Sequence, residues 1–487
     1  MESEGRRRWR FLCGAALIAS ALVRLYRLDH FSYGLDEILQ GFWIQGDWAF
    51  FWNSLRFDAV HPPLDYLIGR FLEALAPEDW VRKLPAAIFG VGTIAVLGAL
   101  VSRRAGRTAG LVTILLLTFA PFHVRYSQEF RPYSLGLFTM SLAVLGLDLF
   151  LASPGVLRLA ALFTACLATL YSLYLAAVTL AIAALGLLVE DCFAPDPARR
   201  RAARRFLAWS PIFSAALLAA YLPWWPVVLE AARRAAPVDA EAINWKRLGQ
   251  TMSFFAFAHD DGDPFETASA CWTAALVAGA AIALTTKRLR FLLIWSIGGL
   301  AVIEALGHIH PHWYGTRRFL PAGIVWPALI AIAASRLVAA NRRVLAGMIV
   351  AAVLLFDGRG LKLYFREGRA DWRPLARFLR QLPKAERIFT ENQYAQLCVA
   401  FYLEGPEWLA ARSRLGRDVW NLEGQIVRLT WSWKPNTTAW LVLAGQPESE
   451  PLRRWALPFP STVFPTAEGA DLRRLDPALR DVTLSGR

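Results

Sequence analysis

Charge is scarce in this chain: only 19% of its 487 residues are Asp, Glu, Lys or Arg, against about 25% in an ordinary soluble domain. Cysteine is scarce too. The five cysteines, at 13, 166, 192, 271 and 398, form no CxxC and no Cys/His spacing. Neither a disulfide framework nor a structural zinc site has support. Acids are outnumbered by bases, 39 to 53, for a net charge of +14. No P-loop, dinucleotide-binding glycine motif, GxSxG or HExxH stands in a usable context, which removes soluble nucleotide chemistry and serine or zinc hydrolysis. Repeats and low-complexity stretches are also lacking. What the chain has in excess is apolar surface: 56% hydrophobic residues, with 20 Trp and 30 Phe. That composition reads as a membrane protein.

A bilayer core takes about 20 apolar residues per helix. Candidate spans are 11–28, 86–101, 108–124, 133–152, 206–229, 268–286, 289–307, 318–339 and 343–357. The stretch 156–189 is too long for one crossing and is divided near Tyr171–Tyr174, which brings the expected total to about eleven. Charge supports the division, because Lys and Arg collect in cytoplasmic loops. With the N-terminus inside, Arg103, Arg104, Arg107, Arg158, Arg199–Arg201, Arg204, Arg205, Lys287, Arg288, Arg290, Arg336, Arg342 and Arg343 all fall inside. A single span over 156–189 places the group at 199–205 outside. Arg6, Arg7, Arg8 and Arg10 ahead of the first apolar run resemble a signal peptide without a clean cleavage site, so an uncleaved first helix is expected. Much of the positive charge is thereby explained as topology, without nucleic acid.

The expected outer segments are 29–85, 125–132, 230–267, 308–317 and the tail from Gly358 to Arg487. The tail changes to mixed segments. Trp372–Leu382 and Tyr394–Leu403 read as helices, and Arg387–Thr390 and Trp440–Ala444 as strands. The expected fold is an α-helical multi-pass membrane protein over 1–357 with a small α/β domain over 358–487 on the outer face.

Four outer segments carry residues suited to chemistry. Asp36 and Glu37, in Tyr33-Gly34-Leu35-Asp36-Glu37, are a candidate general base and its neighbour; acids at a helix start are also what the helix dipole favours. In His61-Pro62-Pro63-Leu64-Asp65-Tyr66 two prolines fix the chain and hold His61 at a corner, either to face a substrate oxygen or to cap the helix that follows. Arg125-Tyr126-Ser127-Gln128-Glu129-Phe130-Arg131-Pro132-Tyr133 sets two arginines, Gln128 and Glu129 at membrane depth, where charge is costly and functional by default. Arg suits phosphate through its planar fork; interfacial snorkelling with an Arg131–Glu129 pair is the plainer alternative. The fourth runs from His308 through His310, His312, Tyr314, Arg317 and Arg318 to Pro321. Its alternating histidines lack an acid, and Pro311 interrupts them, so a metal has no support. Arg317 and Arg318 lie on the outer side, against the positive-inside tendency, and an anionic partner accounts for that.

These stretches occur in an order that resembles the GT-C membrane glycosyltransferases. Within them the chain is similar to the branch of protein O-mannosyltransferases and the lipid A aminoarabinose transferase (glycosyltransferase family 39-like). The resemblance covers about residues 1–340 and rests on YGLDE, HPPLDYLI, RYSQEFRPYSL and TRRFLPAGIVWPAL. It implies a polyprenyl-phosphate sugar donor and an acceptor hydroxyl on a protein, lipid or glycan. It implies Asp36 as the catalytic carboxylate, with Glu37 beside it. His61, Asp65 and Tyr66 would line the cavity with Arg125, Gln128, Glu129, His310 and Tyr314. Arg131 and either Arg317 or Arg318 would hold the lipid phosphate, with Tyr133 nearby. The histidine-rich segment departs from the family pattern, which leaves the sugar open. No cofactor is implied. The implied place is a bacterial inner membrane, N-terminus cytoplasmic and tail periplasmic.

Two other readings compete. A transporter or flippase predicts charged residues deep within spans and two repeated halves. A lipid-linked oligosaccharide polymerase or ligase predicts a long catalytic outer loop in the second half, and 230–267 carries no strong constellation.

Overall fold

In lipid every backbone N–H and C=O must be satisfied within the chain, so long apolar runs fold as helices. The computed structural model describes residues 2–76, 78–234, 255, 267–286, 289–309, 316–367, 371–382, 387–390, 393–405, 426–428, 439–443, 461–463 and 471–475. The helices, in chain order, are α1 (Glu2–Leu25), α2 (Leu35–Trp43), α3 (Trp48–Asp58), α4 (Leu64–Glu73), α5 (Asp79–Ala105), α6 (Arg107–Phe119), α7 (Pro121–Tyr126), α8 (Tyr133–Ala152), α9 (Val156–Leu170), α10 (Tyr174–Cys192), α11 (Pro197–Tyr221), α12 (Trp225–Arg234) and α13 (Thr267–Thr285). There follow α14 over 290–309, with a π-helical turn at Ile294–Gly298, then α15 (Trp326–Ala339), α16 (Arg343–Glu367), α17 (Trp372–Leu379) and α18 (Gln393–Glu404).

Among the described residues five helices are long and apolar enough to cross a membrane, or six if the bent pair α11–α12 counts as one. The expected split of 156–189 is present, with α9 ending at Leu170 and α10 starting at Tyr174. Three expected spans have different shapes. The run 206–229 is broken, α11 and α12 meeting at 82°. The run 108–124 is helical as α6 only to Phe119, because Pro121 offers no N–H to the Leu117 carbonyl. Arg24 of α1 donates there instead, to the carbonyls of Leu117 at 3.0 Å and Thr118 at 3.2 Å. The run 343–357 continues as α16 to Glu367, which puts Asp357 inside the helix and buries it.

The chain divides into two units. The first comprises Met1–Tyr26, Asp58–Asp65 and Lys83–Arg366; the second comprises Arg27–Phe57, Tyr66–Arg82 and Glu367–Arg487. The core of the first is aliphatic and aromatic: Leu97, Leu117, Met140, Ala183, Trp295 and Ile330 are fully enclosed. Without a hydrophobic driving force between helices in lipid, close packing of small residues takes over. At Gly110 of α6 an added Cβ would lie 1.7 Å from Ser102 Oγ and 2.7 Å from the Gly98 carbonyl of α5. Gly106, at φ +98°, turns the chain between the two helices in a conformation suited to glycine. The outer faces are the reverse of a soluble surface: Phe11, Ile18 and Leu22 project from α1, and Val344, Met348 and Leu355 from α16. Such apolar faces mark contact with lipid.

In the second unit the strands β1 (Arg387–Thr390), β2 (Ile426–Arg428), β3 (Ala439–Leu443), β4 (Ser461–Val463) and β5 (Asp471–Leu475) form a mixed sheet in the order β2-β1-β3-β5-β4. β1 lies parallel to β2 and β3, with Ile388 opposite Trp440, and β5 runs antiparallel to β3 and β4. α2 and α3, from the expected first outer loop, belong to this unit.

Candidate functional site

The first unit brings together His61, Tyr133, Arg131, Arg317 and Arg318. His61 precedes two prolines, which hold the chain extended ahead of α4. The Leu64 N–H donates to the Tyr171 carbonyl at 3.0 Å and pins that start. His61 is buried, packs edge-on against Tyr133 with ring centroids 5.9 Å apart, and has no hydrogen bond at Nδ1. Burial, and then the positive charges of Arg131, Arg317 and Arg318, hold its imidazole well below the usual histidine range. His61 is therefore neutral at neutral pH.

The loop between α7 and α8 is fixed by its own bonds. Ser134 Oγ donates to the Tyr126 carbonyl at 2.9 Å, the Arg131 N–H to the Glu129 carbonyl at 2.8 Å, and Tyr126 meets Tyr133 at 4.9 Å. Arg131 is buried at its end, while Arg317 and Arg318 are half-buried on the 3-10 turn Thr316–Phe319. A neutral imidazole amid three guanidinium groups is suited to an anion with several oxygens, because Arg presents a fork of donors to phosphate.

Other candidates from this region have different tasks. Gln128 donates to the carbonyls of Arg24 and Tyr26 at 2.9 and 2.8 Å and accepts from Tyr364 at 3.0 Å, so its amide ties the end of α1 to α16. Glu129 is ion-paired with Arg125 at 3.5 Å. Asp65 is buried in the first unit. Tyr66 lies in the second unit, buried against Trp43. His310 and Tyr314 lie outside the described residues.

Asp36 and Glu37 begin α2 in the second unit. Their environments differ because successive helical side chains point about 100° apart. Glu37 is buried and its Oε2 accepts from the Gly34 N–H at 3.0 Å, an N-terminal cap. Asp36 is half-buried.

Two further groups of charges are formed by residues distant in sequence. Arg103, Arg104 and Arg199 pair with Asp148, Glu190 and Asp191. Arg104 reaches Asp148 at 2.6 Å and Asp191 at 2.9 Å, and Arg199 bonds both of these carboxylates. The sequence positions of these arginines read as topology signals; three acids near the ends of apolar runs are the clue to the pairing. The second group is Arg24, buried with Ser20 and 2.6 Å from His123 Nδ1. Among the described residues no three His, Cys, Asp or Glu side chains are grouped to hold a metal ion.

No protein-family model matches the chain, and no curated protein matches it by sequence. Solved structures do match. The apo structure of ArnT from Cupriavidus metallidurans aligns at TM-score 0.54 and 14% identity over 99% of this chain and 100% of that one. The same protein bound to undecaprenyl phosphate aligns at TM-score 0.53 and 15% identity, over 98% and 99%. The Archaeoglobus fulgidus oligosaccharyltransferase complex with zinc and sulfate aligns at TM-score 0.51 and 12% identity, over 92% and 69%. These likenesses show a shared fold. The chain is an integral membrane protein that shares its fold with these proteins.

Proposed function

We propose that this protein is a membrane glycosyltransferase that moves a hexosyl or pentosyl group from a polyprenyl-phosphate donor to an acceptor hydroxyl at the outer face. The observation that carries the reading is the gathering of Arg131, Arg317 and Arg318 about a neutral His61, in a chain that shares its fold with a protein solved bound to undecaprenyl phosphate. In the reaction the acceptor oxygen forms a bond to the anomeric carbon while the carbon–oxygen bond to phosphate breaks. The electron pair leaves on the phosphate. Cations fixed there favour the departing charge, and one such fixed donor is worth about 2.7–4 kcal/mol in other enzymes.

The acceptor proton needs a carboxylate, and the motif resemblance supports Asp36 for that role, with Glu37 as the cap that fixes the start of its helix. Asp36 then passes the proton to water. Asp65 and Arg125 are proposed to shape the donor site with Tyr133. About eleven crossings are proposed, with the N-terminus in the cytoplasm and 358–487 in the periplasm of a bacterial inner membrane. The acceptor is a hydroxyl of a protein, lipid or glycan.

The test is proteoliposomes carrying radiolabelled polyprenyl-phosphate sugar and a mixed acceptor fraction. Label is expected to move from lipid to acceptor with the parent protein and not with Arg131→Gln. One observation favours transport instead: Asp357, buried within α16, because intramembrane acids mark solute paths. Movement of labelled lipid across the bilayer with no new glycosidic bond would establish that second reading.

A further inference from the structure

The second unit holds the start of α2 by bonds from the far end of the sequence. The Tyr33 N–H donates to Tyr402 Oη at 2.6 Å, and the Tyr402 hydroxyl donates to Asp79 Oδ2 at 2.8 Å. The Tyr33 hydroxyl donates to the Asp79 carbonyl at 3.1 Å. One residue earlier, the Trp372 N–H donates to Ser32 Oγ at 2.9 Å, and Arg373 binds the Asp29 carboxylate at 2.9 Å and the carbonyls of Asp29 and His30 at 2.7 Å. On the other side the Phe401 ring packs against Tyr33, centroids 6.0 Å apart, and lies beside Gly41, where an added Cβ would stand 3.5 Å from it in ordinary van der Waals contact. Tyr33 is fully buried. Asp36 follows it by three residues and rides on the helix so fixed.

We propose that Tyr402 is a positioning residue: its hydroxyl locks the backbone at Tyr33 and thereby sets the direction of Asp36. The tail then serves the reaction by holding the first outer segment. This inference rests on the reading of Asp36 as the acceptor-side carboxylate. Burial and the Asp79 carboxylate raise the Tyr402 phenol well above its ordinary value, so its proton is present at every working pH. Misplacement of a reacting group by about 1 Å can cost about 100-fold in rate, whereas a residue that only stabilises the fold acts on all variants alike.

The experiment compares Tyr402→Phe, Asp36→Asn and the double variant in the transfer assay. Tyr402→Phe keeps the ring on Phe401 and is expected to lower kcat about tenfold with donor KM within about twofold. In the Asp36→Asn background it is expected to cause no further loss. Asp79→Ala, which removes the acceptor of the phenol, is expected to lower kcat alike, and Asp79→Asn, which keeps an acceptor oxygen, to restore it; this pair carries the test if Tyr402→Phe does not fold. An inactive Asp36→Asn with full kcat in Tyr402→Phe overturns the positioning role alone, as does an equal fractional loss in both backgrounds. A fully active Asp36→Asn overturns the reading of Asp36, and the positioning role with it.

Discussion

The imidazole of His61 meets the ring of Tyr133 edge-on, centroids 5.9 Å apart and planes at 82°. The contact fixes a buried ring whose imidazole is held well below the usual histidine range by burial and then by the charges of Arg131, Arg317 and Arg318. A lysine or arginine there would add a fourth like charge; histidine contributes a polar edge without one.

This arrangement has a pH signature. An unfolded histidine titrates near about 6.5, and His61 in the fold lies well below that. Between those two values the unfolded chain binds more protons, so stability is present above about 6.5 and is lost as pH falls toward the folded value. The thermal midpoint of the parent in detergent is expected to drop on acidification below about pH 6.5. The drop in His61→Gln should be smaller. Parallel curves for the two proteins would contradict a neutral buried His61.

Removal of one guanidinium should weaken phosphate binding more than it disturbs the fold. A hydrogen bond to a charged group contributes about 1.5–3 kcal/mol, so Arg131→Gln is expected to weaken undecaprenyl phosphate binding by roughly 10–100-fold. Arg131→Lys should recover only part, since a point charge lacks the fork. Unchanged binding in a folded Arg131→Gln removes Arg131 from the site.

The ion cluster around Asp148 predicts a stability effect without a change in binding. Asp148 is buried and faces Arg103, Arg104 and Arg199. Loss of one member of a buried pair costs about 3–5 kcal/mol, so Asp148→Asn should lower the thermal midpoint markedly. Arg233→Gln, at an exposed pair, should not. Equal midpoints for the two variants would contradict the cluster's role.

Some of this was legible in the sequence. The break at Tyr171–Leu173 followed from the charge at 199–205, because topology and charge are coupled. The strands β1 and β3 were marked by short β-branched and aromatic runs. Arg131, Arg317 and Arg318 stand out in the sequence as basic residues on the expected outer side. What was not legible depends on pairing between distant positions. Tyr33 and Tyr402 are 369 residues apart, and Arg104 and Asp148 are 44 apart. A hydropathy window averages such charges away. The 82° break after α11 is invisible to apolar composition and is marked only by Pro223 and Pro226, and the helix that holds Asp357 runs on to Glu367 beyond the apolar run.

The close approach of α5 and α6 gives a packing test. Gly110→Val puts a branched side chain where Ser102 Oγ already stands. Overpacking of this kind costs about 1–3 kcal/mol, expected as a lower thermal midpoint and lower yield. A variant as stable as the parent would show that the two helices can part without loss.

The proposed reaction makes a glycosidic bond at the expense of a polyprenyl-phosphate sugar. Phosphorus NMR of proteoliposomes loaded with that donor and an acceptor follows it directly, because the phosphodiester of the donor becomes the phosphomonoester of the carrier lipid. The parent protein is expected to convert the signal as glycosylated acceptor appears, and Asp36→Asn to slow the conversion by about 100-fold or more. A phosphodiester signal that persists with every acceptor class, while the lipid crosses the bilayer intact, would contradict the account.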